Sequence, residues 1–343
     1  MNVIPSKIIN HIRDRKISKF KWKDKEHPFL LIIAYADWAS LGLRLSKAIN
    51  KYTNWNSECV SHHSNVIHNP LTENEAKNNQ QKYNHIRKIM RYADVIIFFA
   101  GMVHYRPCDS YINKNAYIGV WHVGTDYRKR YNLFINEVHP YIDLICVGKG
   151  FRNTEKNVIV LPALLDVDSY KVQKRKSKKI IIGHSPTSRL KKHTDILIDA
   201  MKDLKKKFGN NIDFDIIENV SNNECLKRKR RCHIFFDQIV NTELSYSQLP
   251  REIPMYGVSL LEAAAFGLVC MSHANFPDTP LICVKNKEDI VKIVSYLFNN
   301  RDKMKEISKK TREWVVKEHS YENVAKRFIF DVEKRIKEIN NGC

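Results

Sequence analysis

The sequence predicts an α/β protein made of two doubly wound domains facing a central cleft, and three observations carry that prediction. Short, continuously apolar runs recur along the chain with helical patterns between them. The alternation breaks once, at a basic stretch without apolar periodicity, and then resumes. At 343 residues the chain is long enough for two domains, each with its own core.

In the first domain, expected over residues 1–168, "FLLIIAY" (29–35) reads as a buried strand. "WASLGLRLSKAINKY" follows as a helix, with Leu41, Leu45, Ala48 and Ile49 at helical spacing. Further strands are expected at "ADVIIFFAG" (93–101), "AYIGVWHVG" (116–124), "IDLICVG" (142–148) and "NVIVLP" (157–162). Strands apolar on both faces belong to a parallel sheet covered by helices on each side. "DVDSYKVQKRKSKK" carries six basic residues between Lys171 and Lys179 and reads as a linker or hinge. The second domain, expected over 169–318, opens with the strand "IIIGHSP" (180–186) and the helix "HTDILIDAMKDLKKKFG". Its remaining strands are "IDFDII" (212–217), "CHIFFDQ" (232–238), "LVCMS" (268–272) and "LICV" (281–284), and the last sixty residues are mostly helical.

Lys and Arg number 58 against 37 Asp and Glu, a net charge of +21. Both halves contribute, with 24 basic against 15 acidic residues up to residue 170 and 34 against 22 beyond it. Such a field attracts polyanions: nucleic acid, an anionic membrane surface or a phosphorylated small molecule. No run of 18 apolar residues and no signal-peptide core is present, so a cytoplasmic protein is expected. None of the eight cysteines forms a C-x-x-C pair, and buried free thiols are expected rather than metal ligands or disulfides.

Ligands of doubly wound sheets bind beyond the carboxyl ends of the strands, and four segments there carry usable chemistry. In "YGVSLLEAAAFG" (256–267), Tyr256 precedes a helix that starts near Gly257 and Ser259 and stops at Gly267. Its first amides, at Gly257, Val258 and Ser259, suit a diphosphate, and Glu262 one turn on suits a ribose diol. The plainer alternative is an acidic residue favourably placed near a helix amino end. "GHSPTSRLKKHTDILIDA" places Gly183 and Ser185 at a strand end and Arg189, Lys191 and Lys192 before the next helix, as a pyrophosphate clamp or as a solvated basic loop. "CHIFFDQ" ends in Asp237 and Gln238, which suit sugar hydroxyls or a turn cap. In the first domain, "WHVGTDYRKR" sets His122, Asp126 and Arg128 beyond a strand, where His122 either meets a sugar or is a satisfied core histidine. "AYADWASLGLR" makes a similar turn at Asp37, Trp38 and Gly42, open to an acceptor or diphosphate.

Taken in order, glycine, basic loop, Lys192, helix, strand ending in Asp237, then aromatic-Gly-x-x-x-x-Glu-Ala, the second half resembles GT-B glycosyltransferases of the retaining, family-4-like kind. The match is good over roughly 180–275 and weaker over 29–170. The resemblance implies two Rossmann-like domains and transfer of a sugar, with retention, from a nucleotide-diphosphate donor, here a UDP- or GDP-sugar as substrate, without cofactor or metal. It implies that Glu262 binds the donor ribose, that Arg189 and Lys192 hold the diphosphate, and that His122 contacts the donor sugar. It further implies that Gly183, Ser185, Asp237, Gln238, Tyr256, Gly257, Val258 and Ser259 line the donor site, and that the segment 319–343 crosses back to the first domain. Acceptor contacts are expected at Asp37, Trp38, Gly42, Asp126 and Arg128. The family's second Glu, eight residues before the ribose Glu, is replaced here by Pro254, so the donor sugar lacks that contact.

For the acceptor, "HIRDRKISKFKWKDKEHPF" mixes cations with Phe20, Trp22 and Phe29 as an interfacial patch would, favouring a lipid-linked or cell-envelope glycan at the inner membrane face. "KRKRR" (227–231) and "KVQKRKSKK" (171–179) suit a nucleic-acid acceptor such as modified DNA bases. The Pro254 departure leaves a third reading, a non-catalytic sugar- or nucleotide-binding protein.

Overall fold

A computed structural model of the chain describes residues 26–63, 79–100, 109–173, 179–239, 255–273 and 275–341. Contacts divide it into two compact units: one takes the chain up to Leu164 and again from Tyr321, the other runs from Leu165 to Ser320.

The first unit is built on a parallel sheet of β1 (Phe29–Ala36), β2 (Asn56–His63), β3 (Val95–Phe99), β4 (Tyr117–His122), β5 (Leu144–Val147) and β6 (Ile159–Val160), in the order β2-β1-β3-β4-β5-β6. β3 and β4 are buried at every residue, which is why they read as unbroken apolar runs. β2, "NSECVSHH", is absent from the sequence reading: it sits at the sheet edge, pairs with β1, and carries the polar residues an edge strand tolerates. The helix Leu41–Tyr52 follows β1 and buries Leu41, Leu45, Ala48 and Ile49. Against it packs the final helix, Tyr321–Asn340, with Val324, Phe328, Val332 and Ile336 buried. Glu333 Oε1 accepts from Trp55 Nε1 at 3.0 Å and Asn340 Oδ1 from Tyr117 OH at 2.7 Å, fixing that helix along its length.

The second unit holds β7 (Ile180–His184), β8 (Ile212–Ile216), β9 (Ile234–Phe236), β10 (Val269–Ser272) and β11 (Ile282–Cys283), all parallel, in the order β11-β10-β9-β7-β8. Ile182, Ile234, Phe236 and Met271 from the strands meet Leu197, Met201 and Leu204 of the helix Thr194–Phe208 and Val294 of the helix Lys287–Asn299 in its core. Among the described residues no helix is long and apolar enough to cross a membrane. The six described cysteines are free thiols, and Cys59, Cys146, Cys232 and Cys270 are buried.

Candidate functional site

In the second sheet β7 lies between β8 and β9, so the chain leaves β7 in one direction and later continues outward from β9 in the other. Between two such strands an open α/β sheet leaves a crevice at its carboxyl edge. Ser185 follows β7 there, Asp237 follows β9, and the helix Val258–Ala265 begins beside them.

Asp237 ties two of these segments together. It is buried, and its Oδ1 accepts from the Lys192 ammonium at 2.7 Å while Oδ2 accepts from Gly257 N–H at 3.2 Å. Burial raises its pKa, but the Lys192 charge and these hydrogen bonds outweigh it and hold the carboxyl below the usual range. A Cβ added at Gly257 would lie 3.5 Å from both Asp237 Oδ1 and Lys192 Nζ, so the ammonium stands against the helix N-cap.

The helix itself is short and sunken. Leu260 through Ala265 are all buried, the alanines letting it lie close to the sheet. Its first-turn amides at Val258 and Ser259 cannot be satisfied within the helix. It stops at Gly267, whose φ of +67° suits a glycine, with Gly267 N donating to Ala264 O at 2.9 Å.

Glu262 is not a lone carboxylate. Its Oε2 accepts at 2.8 Å from Lys229 Nζ, on the helix Asn222–Arg230. Lys229 is fully buried, and its ammonium also donates to Ser259 Oγ at 2.9 Å and Ser259 O at 3.2 Å, so three acceptors meet its three N–H groups. The ammonium lies 5.1 Å from the Phe235 ring centroid. Because an ammonium only donates, Ser259 Oγ accepts from it, and the same hydroxyl shares a hydrogen bond with Ser185 Oγ, 2.5 Å away. Sequence reasoning grouped Lys229 with the run "KRKRR", read as suited to nucleic-acid phosphates. The signal was the bare helix itself, since a carboxylate buried among alanines needs a buried cation. Arg228 of the same run is also used internally, on Asp215 and on Ile216 O.

The other expected donor residues are placed as follows. Arg189 is exposed and held by Glu218, with Nε donating to Oε2 at 3.0 Å. Gly183 is a packing glycine: a Cβ there would lie 2.7 Å from Cys232 Sγ. Gln238 Nε2 reaches Met255 O at 3.5 Å, and Tyr256 OH meets His319 Nε2 at 2.9 Å with its ring edge-on to Trp314. Between Gly183 and Ser185, His184 is buried. Its Nδ1–H donates to Phe236 O at 2.9 Å, so Nε2 accepts from Thr194 Oγ1 at 2.8 Å, and burial pushes its pKa down to about 4.

In the first unit, Asp37 spends both carboxylate oxygens on the following helix: Oδ1 accepts from Gly42 N at 2.8 Å and Oδ2 from Leu43 N at 2.9 Å. Burial raises its pKa against these bonds. The amides that the sequence offered to an incoming diphosphate at this turn are therefore taken by Asp37. Gly42 lets the helix approach β2, since a Cβ would lie 2.7 Å from Cys59 Sγ. Trp38 is exposed, and Arg128 lies over the Phe151 ring at 5.1 Å. Asp126 belongs to the helix Gly124–Lys129, but its side chain lies outside the described residues. His122 has no exposed surface; it stacks on Tyr127 with centroids 4.3 Å apart. Its Nε2 meets His139 Nε2 at 2.8 Å, and His139 Nδ1 donates to Glu155 Oε2 at 2.8 Å. Burial, with the His139 and Arg130 charges, lowers the His122 pKa well below the usual range, so its ring is neutral. Residues 1–25 and 240–254, which include Phe20, Trp22, Glu252 and Pro254, lie outside the described residues, as does 174–178 of the basic stretch.

No protein-family model and no curated protein matches the sequence. Solved structures do match the fold. HepE from Anabaena, in complex with UDP and glucose, is similar over 90% of this chain and 100% of its own, at a TM-score of 0.59 and 11% identity. The chain has the GT-B fold, two Rossmann-like domains. A sucrose-phosphate synthase from Thermosynechococcus elongatus is similar over 91% and 99% of the two chains (TM-score 0.54, 11% identity). A UDP-N-acetylglucosamine 2-epimerase is similar over 91% and 97% (TM-score 0.53, 11% identity). The fold is thus shared by transferring and epimerising enzymes, and the chemistry has to be read from the site.

Proposed function

We propose that the chain is a glycosyltransferase that binds a UDP- or GDP-sugar in its second unit and transfers the sugar with retention to a lipid-linked or cell-envelope acceptor. The observation that carries this reading is the convergence of Lys192, Asp237 and the amino end of the 258–265 helix at one strand edge, with Glu262 a turn inside. A nucleotide sugar breaks with positive charge on the sugar and negative charge on the departing diphosphate. Lys192 offers the diphosphate a cation oriented in advance by a buried carboxylate, and the first-turn amides of the helix add donors. Arg189 reaches the same charge by exchanging Glu218 for phosphate. Lys229 fixes the Glu262 carboxylate so that its position is set before the ribose arrives. HepE, which shares the fold, is in complex with UDP and glucose, and this supports a nucleotide sugar as the substrate class.

In the first unit the acceptor is assigned to Trp38, Asp126 and Arg128, with Asp37 and Gly42 shaping the turn that presents Trp38. Retention follows from front-side attack, the acceptor proton passing to the leaving phosphate. No metal is invoked, since two cations and helix amides answer the diphosphate charge. A cytoplasmic protein at an anionic membrane face fits the net charge of +21. The same charge suits a DNA acceptor, but Arg228 and Lys229 of the 227–231 run are committed within the unit, which favours the lipid-linked acceptor.

Incubation with UDP- and GDP-sugars, with either anionic-lipid-linked glycans or hydroxylated duplex DNA, tests this reading. Release of nucleoside diphosphate with an axial-to-axial or equatorial-to-equatorial product by NMR is expected with the lipid arm. Product only with DNA replaces the acceptor, an inverted anomer removes the mechanism, and no turnover with any donor removes the enzyme.

A further inference from the structure

The second unit has another concavity, at the opposite end of its sheet. A cavity of about 1220 Å³ is lined by Asn211 before β8, His233 before β9 and Gly267 before β10, all at the amino edge. The switch-point crevice opens at the carboxyl edge, so this cavity is no part of the nucleotide site. Its volume exceeds the roughly 300–1,000 Å³ of common small-ligand pockets.

One wall is a face of the helix Arg301–His319. Arg301, Met304, Lys305, Ser308, Lys309 and Arg312 fall at helical spacing along it and all line the cavity. Two of these build the floor. Arg312 Nη1 donates to Ala265 O at 2.5 Å and Nη2 to Val167 O at 2.9 Å, placing a cation at the carboxyl end of the 258–265 helix. Ser308 Oγ donates to Gly267 O at 2.5 Å. Met304, Phe298 and the exposed Val172 supply apolar lining. Arg301, Lys305 and Lys309 add three cations to the lining and Glu313 one carboxylate, and the two lysines are exposed. Arg301 stacks over Phe298, 4.7 Å from its centroid, while Lys305 and Lys309 meet Asp302 and Glu313 only in exposed pairs of 2.9 and 3.8 Å. Exposed pairs of that kind are weak and yield to a better anion. Lysine and arginine stems that run over apolar surface to a charged rim fit a ligand with the reverse order, an aliphatic body ending in an anion.

We propose that this cavity binds an amphiphilic anion, a single alkyl chain carrying a phosphate or carboxylate, with the chain against Val172, Phe298 and Met304 and the anion at Arg301, Lys305 and Lys309. A site of this kind, on the end of the unit away from the nucleotide crevice, gives the protein a lipid-responsive handle that does not compete for the donor position.

Isothermal titration of the full chain with monododecyl phosphate below its micelle concentration tests the proposal, with inorganic phosphate and neutral dodecyl maltoside as controls. Saturable binding of dodecyl phosphate, at least 10-fold tighter than either control, is expected. The exposed double substitution Lys305→Glu/Lys309→Glu should weaken it at least 10-fold while leaving any UDP-induced thermal shift unchanged, which separates this site from the donor reading. Met304→Glu, placing a carboxylate on the apolar wall, should weaken it as well. Sedimentation with phosphatidylglycerol vesicles tells a bilayer source from a free one: loss of vesicle binding in the double variant makes the ligand a membrane lipid, and titration alone makes it a monomeric amphiphile. No binding of dodecyl phosphate, equal binding of dodecyl maltoside, or binding unaffected by the charge reversal overturns the proposal.

Discussion

Replacing Lys229 by Met removes the ammonium that holds the candidate site together and leaves its partners in place. Three acceptors lose their donor at once: Glu262 Oε2, Ser259 Oγ and Ser259 O, at 2.8, 2.9 and 3.2 Å. Lys229 is fully buried and the Glu262 side chain is only 8% exposed, so water cannot take over. Breaking such a pair from one side costs about 3–5 kcal/mol, because a charge stays buried without compensation. For a domain of this size that lowers the thermal midpoint by about 10 °C. Urea unfolding of wild type, Lys229→Met, Glu262→Leu and the double variant measures it as a cycle. The double variant should recover more than half of the loss, since an apolar pair of similar volume carries no desolvated charge. A single-variant cost below about 1 kcal/mol, or a double variant no more stable than Lys229→Met, would refute the buried pair as described.

Three further expectations concern the same strand ends. Gly183→Ala pushes a Cβ to 2.7 Å from Cys232 Sγ and should cost about 1–3 kcal/mol by chemical denaturation, with Cys232→Ala restoring most of it. Asp37→Ala frees two helix amides and should cost about 1–2 kcal/mol in the first unit, read by the same method, while Trp38→Ala, at an exposed position, should stay within about 0.5 kcal/mol. His184 is held neutral with a pKa of about 4, below the ordinary imidazole value of 6.5, so the unfolded chain binds the extra proton between those values. Its contribution is present above pH 6.5 and lost as the pH falls toward 4, about 2 kcal/mol between pH 7 and pH 5, and His184→Gln should flatten that slope of unfolding free energy against pH.

Much of the architecture was legible because burial on both faces makes a strand continuously apolar: β1, β3, β4, β5, β7 and β9 all announce themselves this way. β2 did not, since an edge strand with serines and histidines lacks that signal. At the site, the motifs gave the segments but not their pairings. Asp237 and Lys192 are 45 residues apart, and only the sheet order brings them to 2.7 Å. Lys229 was hidden by its neighbours: in a run of five cations, the one on the inward face of the helix looks like the rest. His122 was placed at a strand end correctly, but whether its ring opens outward depends on Tyr127, Phe134 and His139 folding over it, which no local pattern encodes.

The most direct test of the nucleotide site is thermal unfolding of wild type and Glu262→Gln side by side, against UDP, GDP and their sugars. At about one hundred times its dissociation constant a ligand stabilises by roughly 2.7 kcal/mol, a rise of several degrees. The account predicts that one nucleotide class raises the wild-type midpoint and that Glu262→Gln, which keeps the shape but not the carboxylate, loses most of the rise. Equal shifts in both proteins, or none in either, would contradict it.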